Sequence, residues 1–468
     1  MLTPQFDTAG GVPLYEQLYR YIKSQIEEGI LAEGTRLPSK RHTAEHLSIA
    51  INTVTAAYEQ LVDEGYLRSE ERRGYFVENL DQAMITTTGP TFDTDVEEEE
   101  EPTYRYDFSL NVVDAQSFPL ATWRSISREI LSHSDADLFN KMDPRGLEPL
   151  RHYISNYLHD ARGLDVSPER IVVSAGTEYL FQILFSLFGV EVFAMENPGY
   201  ERLNLMFEGA RKDFVPIDLD ESGMDVEELR RSGAQVACVS PSHQFPTGIT
   251  MPMTRRLELM RWATEEKGRY IIEDDYDSEF RYGRRPIPPL KTFDQEDVVV
   301  YMGTFSKSIF PGIRTSYMVL PESLLERFLS RLSFFQCPVP TLMQEILAQF
   351  IRGGYFERHL NRMRKRYRRK WENLVAALQE ELPEATICGE AAGMHLLLSL
   401  PWVKDEEGLV EYLGGEGIHV RGLHSFCVGE ARYPSGLVLG FGALEDGEIH
   451  RAVAVLADEI RRKTGVSS

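Results

Sequence analysis

The stretch VVVYMGTFSKSIFPGIR, residues 298–314, decides the fold. A run of β-branched and aromatic residues enters a turn of small and hydroxyl residues that carries one lysine, Lys307. Such runs favour a pleated, half-buried strand, and residues such as Gly and Ser favour the turn that ends it. Upstream, RYIIEDDYDSEFRY (269–282) repeats the arrangement with acids at the end of the apolar run. RIVVSAG (170–176), QVACVSPS (235–242) and TSYMVLP (315–321) are further strand-like runs, separated by helical segments. Strands alternating with helices predict an α/β fold with a mostly parallel sheet. In such sheets ligands bind outside the carboxyl ends of the strands, so the polar residues closing these runs are candidate site residues.

At 468 residues the chain is long enough for two to four domains. With 42% hydrophobic and 26% charged residues, its composition is that of a globular protein. No apolar run reaches the ~18 residues of a membrane span. The richest, Tyr179 to Met195, is broken by Gln182, Ser186, Gly189 and Glu191. The first residues show no export signal, and Cys238, Cys337, Cys388 and Cys427 form no CxxC pair. Both features predict a cytoplasmic protein with reduced thiols. A net charge of −23 argues against general affinity for nucleic acid.

Residues 81–104, DQAMITTTGPTFDTDVEEEEEPTY, contain no Lys or Arg. They predict an acidic, extended linker between residues 1–80 and 105–468. In the first part Leu14, Leu18, Ile22 and Ile26 recur at helical spacing. A short helix is predicted over Lys40 to Leu47, and a second, carrying Val54, Ala57, Tyr58, Leu61 and Val62, stops at Gly65. Residues 66–68 and 74–77 make two strands around a charged tip. The order is helix, helix-turn-helix, wing.

VPLYEQLYRYIKSQIEEGIL, LPSKR, NTVTAAYEQLVDEGYL and GYFV, within residues 12–77, resemble the GntR family of bacterial regulators. The resemblance implies a winged helix-turn-helix that binds double-stranded operator DNA, its second helix in the major groove. It implies DNA contacts from Ser39, Arg41, Asn52, Thr53 and the wing residues Arg72 and Arg73. Residues 1–80 hold eight Lys or Arg against twelve Asp or Glu, so binding rests on local placement of contacts. Ala50-Ile51 stands where the family usually has Ser-Arg. The missing Ser removes an N-cap worth ~1 kcal/mol. Ile51 in place of Arg points to a different operator, or to affinity from elsewhere.

A pyridoxal phosphate site needs a lysine for a Schiff base, an acid for the pyridine nitrogen, donors for the phosphate, and walls for the ring. Lys307 sits in a turn where partial desolvation makes its amine less protonated and more nucleophilic. Thr304, Ser306 and Arg314 surround it and suit a phosphate dianion. Asp274 is the expected partner of the pyridine nitrogen, and Tyr276 of the phenolic oxygen. SAGT (174–177) ends one strand and opens a helix, so the backbone at Gly176 and the Thr177 hydroxyl form an anion cradle. ENPGYER (196–202) supplies Tyr200 to stack on the ring and Arg202 for an effector carboxylate. His243 and Gln244 are expected to orient groups of this site. No metal is expected, because no second ligand lies at suitable spacing from His243. The basic run RHLNRMRKRYRRK (358–370) reads as a solvated helix face, with DNA contact as the alternative.

KMDPRGLEPLRHYISNYLHDARGL, SPSHQFPTG, EDDYDSEFRYG and GTFSKSIFPGIR resemble the fold-type I aminotransferases. Together with the N-terminal part they resemble the MocR/GabR subfamily, which joins that fold to a GntR-type reader. The resemblance implies a multidomain chain, a winged helix-turn-helix plus an α/β pyridoxal-phosphate-binding domain, acting as a homodimer in effector-controlled transcription. Three departures stand out. Phe245 replaces the Asn usual before ProThrGly, and Lys141-Met142 replaces the Tyr-Gly usual before Asp143-Pro144. Val438, in GLVLGFG (436–442), stands where catalytic relatives carry the Arg that grips a substrate carboxylate. Arg421 and Arg432 are near in sequence but are not placed by it. The missing arginine weakens the case for an active aminotransferase with an accessory DNA-binding domain. Lys307 weakens the case for a DNA-binding protein without cofactor. With Arg202 the one clear carboxylate partner, the sequence favours pyridoxal phosphate itself as effector and control of vitamin B6 synthesis as the role. An amino acid or amine effector is the alternative.

Overall fold

The computed structural model describes residues 4, 6, 12–79, 103–110, 112–114, 117–132, 143–189, 191–282, 287–389, 391–430 and 432–465. The chain divides into two compact units, Met1–Glu101 and Pro102–Ser468. The predicted linker, 81–104, lies outside the described residues except for Thr103 and Tyr104, and so do Lys141 and Met142.

The first unit contains α1 (Leu14–Glu27), α2 (Lys40–Leu47), α3 (Ile51–Asp63) and an antiparallel pair, β1 (Leu67–Glu70) and β2 (Gly74–Val77). Leu18, Ile22 and Ile26 of α1 share one core with Val54, Ala57, Tyr58 and Leu61 of α3 and with Leu67 and Val77 of the wing. The wing ladder runs out to the Glu70–Gly74 pair, so β1 reaches further into the charged tip than the expected 66–68. Ser39 caps α2, its hydroxyl accepting from the His42 N–H at 3.3 Å. Arg41, Ile51, Asn52, Arg72 and Arg73 are exposed, and Thr53 is half-buried. Arg73 pairs with Glu70 at 2.5 Å and lies over the Phe76 ring.

The second unit opens with β3 (Tyr106–Asp107). Eight strands then form one sheet: β4 (Ile171–Ser174), β5 (Phe193–Asn197), β6 (Phe214–Asp220), β7 (Gly223–Met224), β8 (Val236–Val239), β9 (Tyr270–Asp275), β10 (Val299–Thr304) and β11 (Ser316–Val319). Their order is β4-β11-β10-β9-β8-β5-β6-β7. β6, β5, β8, β9 and β10 are parallel neighbours, and β11 is antiparallel to both β10 and β4. β4 therefore points the same way as β10, and the carboxyl ends of β4, β5, β8, β9 and β10 share one edge. Successive strand residues face opposite sides. Val172, Ile272 and Met302 pack with Leu180, Leu184 and Phe188 of the helix Thr177–Phe188. Ile171, Val173, Tyr301 and Tyr317 pack with Leu150, Ile154 and Leu158 of the helix Glu148–Arg162. Helices on both faces explain why the strands read as continuous apolar runs.

Five short strands complete the unit: β12 (Thr386–Cys388), β13 (His395–Ser399), β14 (Ile418–His419), β15 (Arg421–Gly422) and β16 (Gly436–Gly440). β12, β13, β16 and β15 form an antiparallel sheet in that order, and β14 pairs in parallel with β3. No helix among the described residues is long and apolar enough to cross a membrane.

Ala50 occupies the N-cap of α3 and makes no side-chain capping bond. Ala50→Ser supplies one, with an expected gain of ~1 kcal/mol, or roughly fivefold slower local opening. Amide hydrogen exchange in the first turn of α3 of the full chain checks this, and unchanged exchange contradicts it.

Candidate functional site

The shared edge of the parallel strands opens into a cavity of about 400 Å³. Thr177, Tyr200, Arg202, Asp274, Tyr276, Thr304, Ser306, Lys307 and Arg314 all line it. β9 delivers Asp274, β10 ends at Thr304 and runs into the Lys307 turn, and the helix Thr177–Phe188 begins just after β4. Gly176 lies behind the wall as the N-cap of that helix, with φ 96°. That backbone conformation favours glycine, and an added Cβ there would collide with the Arg314 guanidinium.

Lys307 donates to the carbonyl of Leu110 at 3.1 Å. Burial pushes its amine down to about 8, with Arg202 adding and Asp277 and Asp274 opposing. Burial, with Asp275 and Asp277, pushes the Asp274 carboxyl up to about 7. An amine and an acid thus share one enclosed space, each titrating within about a unit of neutral pH. The Tyr276 hydroxyl lies 3.1 Å from His243 Nδ1, which is 3.0 Å from Asp277. Gln244 donates to the Pro198 carbonyl at 2.9 Å and to Glu196 at 3.3 Å. Burial pushes that Glu196 carboxyl up to about 8.

Just before Lys307, Thr304 Oγ1 accepts from the Ser306 N–H at 3.1 Å and from the Ser316 hydroxyl at 2.8 Å. The Ser306 hydroxyl is buried without a hydrogen-bond partner among the described residues. Arg314 is held by Glu178 at 2.5 Å. Tyr200 meets Phe245 edge to face, with ring centres 6.0 Å apart.

The reading of Val438 stands, while those of Arg421 and Arg432 and of the metal at His243 are altered in three dimensions. Val438 is fully buried on β16 among Leu397, Leu423 and Phe426, so no polar group stands where the carboxylate arginine was expected. Its cross-strand partner is Arg421, which lines the cavity and donates to Glu201 at 3.0 Å. Arg432 instead pairs with Asp218 at 2.6 Å and is not on the cavity wall. His243, Asp277 and His395, far apart in sequence, bring polar atoms within 4.8 Å of one another, all three buried. Sequence spacing is therefore no ground for excluding a metal there. Burial, with His243 and Lys307, pushes the His395 imidazole well below its ordinary value, which keeps it neutral.

Sequence reasoning missed Glu178 and Glu201, which hold the cavity arginines, although each directly adjoins a residue it singled out. It missed Glu196 too, inside the quoted ENPGYER, and His395, for which no local signal exists.

Residues 107–456 match the family described as aminotransferase class I and II, and residues 14–77 match the bacterial regulatory proteins of the gntR family. The HTH-type transcriptional regulator YdeL of Bacillus subtilis is 36% identical, over 97% of this chain and 98% of its own. MocR of Rhizobium meliloti, named as a rhizopine catabolism regulatory protein, is 31% identical over 94% of this chain and 92% of its own. The pyridoxine biosynthesis transcriptional regulator PdxR of Corynebacterium glutamicum is 29% identical over 95% of both chains. Among solved structures, an archaeal alanine:glyoxylate aminotransferase aligns with TM-score 0.71 and 26% identity, over 79% of this chain and 93% of its own. Fold and matches together define a transcription regulator in which a gntR-type DNA-binding domain is joined to a pyridoxal-phosphate-binding domain of aminotransferase fold. The chain belongs to the aminotransferase class I and II family and, by its joined gntR-type domain, to the MocR/GabR subfamily of gntR-family regulators.

The residues present fit the cofactor. The cavity holds an amine, an acid and aromatic walls, and the orphaned Ser306 hydroxyl sits beside a helix N-terminus and an arginine, as a phosphate dianion requires.

An amine neutral above about 8 reacts at lower pH than an ordinary lysine. Acylation of Lys307 in the cofactor-free full chain, followed by mass mapping, should rise with pH to half its plateau near 8. A rise that tracks the exposed lysines contradicts this.

Proposed function

We propose that the occupant of the Lys307 cavity sets the DNA affinity of this regulator, and that the effector is a small amine carrying an anionic group, amino acids included. The observation that carries this is the convergence of Arg202 and Arg421 on the cavity that holds Lys307. The preference for the cofactor as effector rested on Arg202 standing alone, and Arg421 removes that premise.

Bound pyridoxal phosphate supplies an electrophilic carbon for an amine. Lys307 would hold the cofactor through its amine, and Asp274 would keep the pyridine nitrogen protonated. Tyr276, oriented by His243, would donate to the phenolic oxygen, and Tyr200 would wall the ring. The helix N-terminus at Gly176 and Thr177, with Thr304, Ser306 and Arg314, would bind the phosphate. Glu178 lies 3.9 Å from Arg202 and Glu201 pairs with Arg421, so an incoming anion takes the place of these carboxylates. Ser39, Arg41, Asn52, Thr53, Arg72 and Arg73 contact operator DNA, and a homodimer presents two readers. Exposed Phe334 and Phe335, with ring centres 4.8 Å apart, offer apolar surface for that pairing.

A second reading takes pyridoxal phosphate itself as the signal and vitamin B6 supply as the role. The apolar setting of Val438 and the likeness to PdxR favour it.

The test is affinity for a duplex selected by the full-length protein, with and without cofactor and a panel of amino compounds. One panel member should shift the affinity only when cofactor is bound. Arg202→Ala and Arg421→Ala should each raise the concentration needed roughly 10- to 100-fold, as expected for a lost charge-assisted bond of ~1.5–3 kcal/mol. A shift by cofactor alone, with none from the panel, replaces this reading by the second. Equal affinity in every condition overturns both.

A further inference from the structure

The helix Tyr355–Glu381 runs for 27 residues, and its segment 358–370 holds eight of the chain's fifty Lys and Arg and no acid. The fold sorts these eight into two sets. Arg364 turns inward to the Glu279 carbonyl at 2.6 Å and Arg366 to Asp114 at 2.6 Å, while buried Lys370 reaches the Gly442 carbonyl at 3.0 Å. Arg358, Arg362, Lys365, Arg368 and Arg369 are exposed.

Residues 358, 362, 365 and 369 have the spacing of one helix face. At 1.5 Å per residue they make a stripe ~16 Å long. Arg368 pairs with Glu372 at 2.9 Å, and Arg369 pairs with Asp446. Arg362 and Lys365, in the middle of the stripe, have no acidic partner among the described residues. Like charges one turn apart on a helix destabilise it by a few tenths of a kcal/mol per pair. Packing does not call for them: Phe356, Leu360, Met363 and Tyr367 secure the inner face.

We propose that this outer face binds the phosphates of duplex DNA. Charge complementarity selects that partner: the chain is otherwise strongly acidic, and duplex DNA presents one negative charge per ~1.7 Å of its axis. A ~16 Å stripe also exceeds the ~12 Å width of a major groove, so it can bridge the two phosphate ridges. The inner face of the same helix packs behind the cofactor site, with none of its residues on the cavity wall. Phe356 packs on Phe305, two residues before Lys307, at 5.5 Å, and Tyr367 packs on Phe280, three residues past Asp277, at 5.3 Å. The helix therefore touches both loops that frame the cavity. The surface stands whichever effector is right.

The experiment measures affinity of full-length, cofactor-loaded protein for a mixed-sequence duplex across a salt series. Each lost phosphate contact should lower the slope of log affinity against log salt by ~0.9, so Arg362→Gln with Lys365→Gln should lower it by about 1–2. The cofactor absorbance should be retained in that variant, Arg231→Gln on a remote helix should leave the slope unchanged, and Arg362→Lys should keep the wild-type slope. A wild-type slope in the double variant, while Arg41→Gln lowers it, overturns the proposal. So does a change in sedimenting mass without a change in slope, which would assign the stripe to a protein contact.

Discussion

Burial makes an amine and a carboxylic acid each costly to ionise, more than their opposite charges offset, and the rest of this structure is arranged around that constraint. Asp274 stands on β9, and Lys307 in the turn that follows β10, the parallel neighbour in register with β9 at Met302 and Asp274. The sheet fixes the Asp274 backbone, and the Lys307 side chain is tied to the Leu110 carbonyl at 3.1 Å. Desolvation moves the lysine down to about 8 and the aspartate up to about 7. Both become adaptable groups, able to bind a ligand as base or as acid at neutral pH. The sheet itself is held by helices on both faces, which is why the polar residues collect at its one open edge.

The cavity's other charges are held in provisional pairs. Arg314 and Arg202 answer to Glu178, and Arg421 to Glu201. These carboxylates keep the arginines compensated in the free protein, and they define the exchange that an anionic ligand must make. Such exchange costs far less than uncovering a buried charge. Arg421 reaches the cavity from β15, on the four-stranded sheet, whereas Asp274 belongs to the large one and Lys307 to the turn that leaves it. A ligand that engages both ends therefore ties the eight-stranded and four-stranded sheets together, a structural change of the kind that a regulator requires.

What was legible in the sequence follows the range of the interactions. The reader helices and the strands ending in Ser174, Asp275 and Thr304 depend on local periodicity, and they stand where the pattern put them. The residues that close those strands were legible for the same reason, because parallel strands bring their ends together whatever the loops do. Arg421 was not, because its place depends on the cross-strand pairing with Val438, which no spacing encodes. His395 joins His243 and Asp277 through three separate elements, and Glu178 matters only once Arg314 is folded against it. The basic run was visible, but its division into inward and outward cations required the helix's orientation on the core.

The central claim, that Lys307 holds the cofactor in this cavity, is tested most directly by covalent mapping. The full-length protein is mixed with pyridoxal phosphate, reduced with borohydride, digested and analysed by mass spectrometry. A single modified peptide containing Lys307, lost in Lys307→Ala, is the predicted result. Modification at Lys291, Lys370 or an exposed lysine, with Lys307 untouched, would contradict the account.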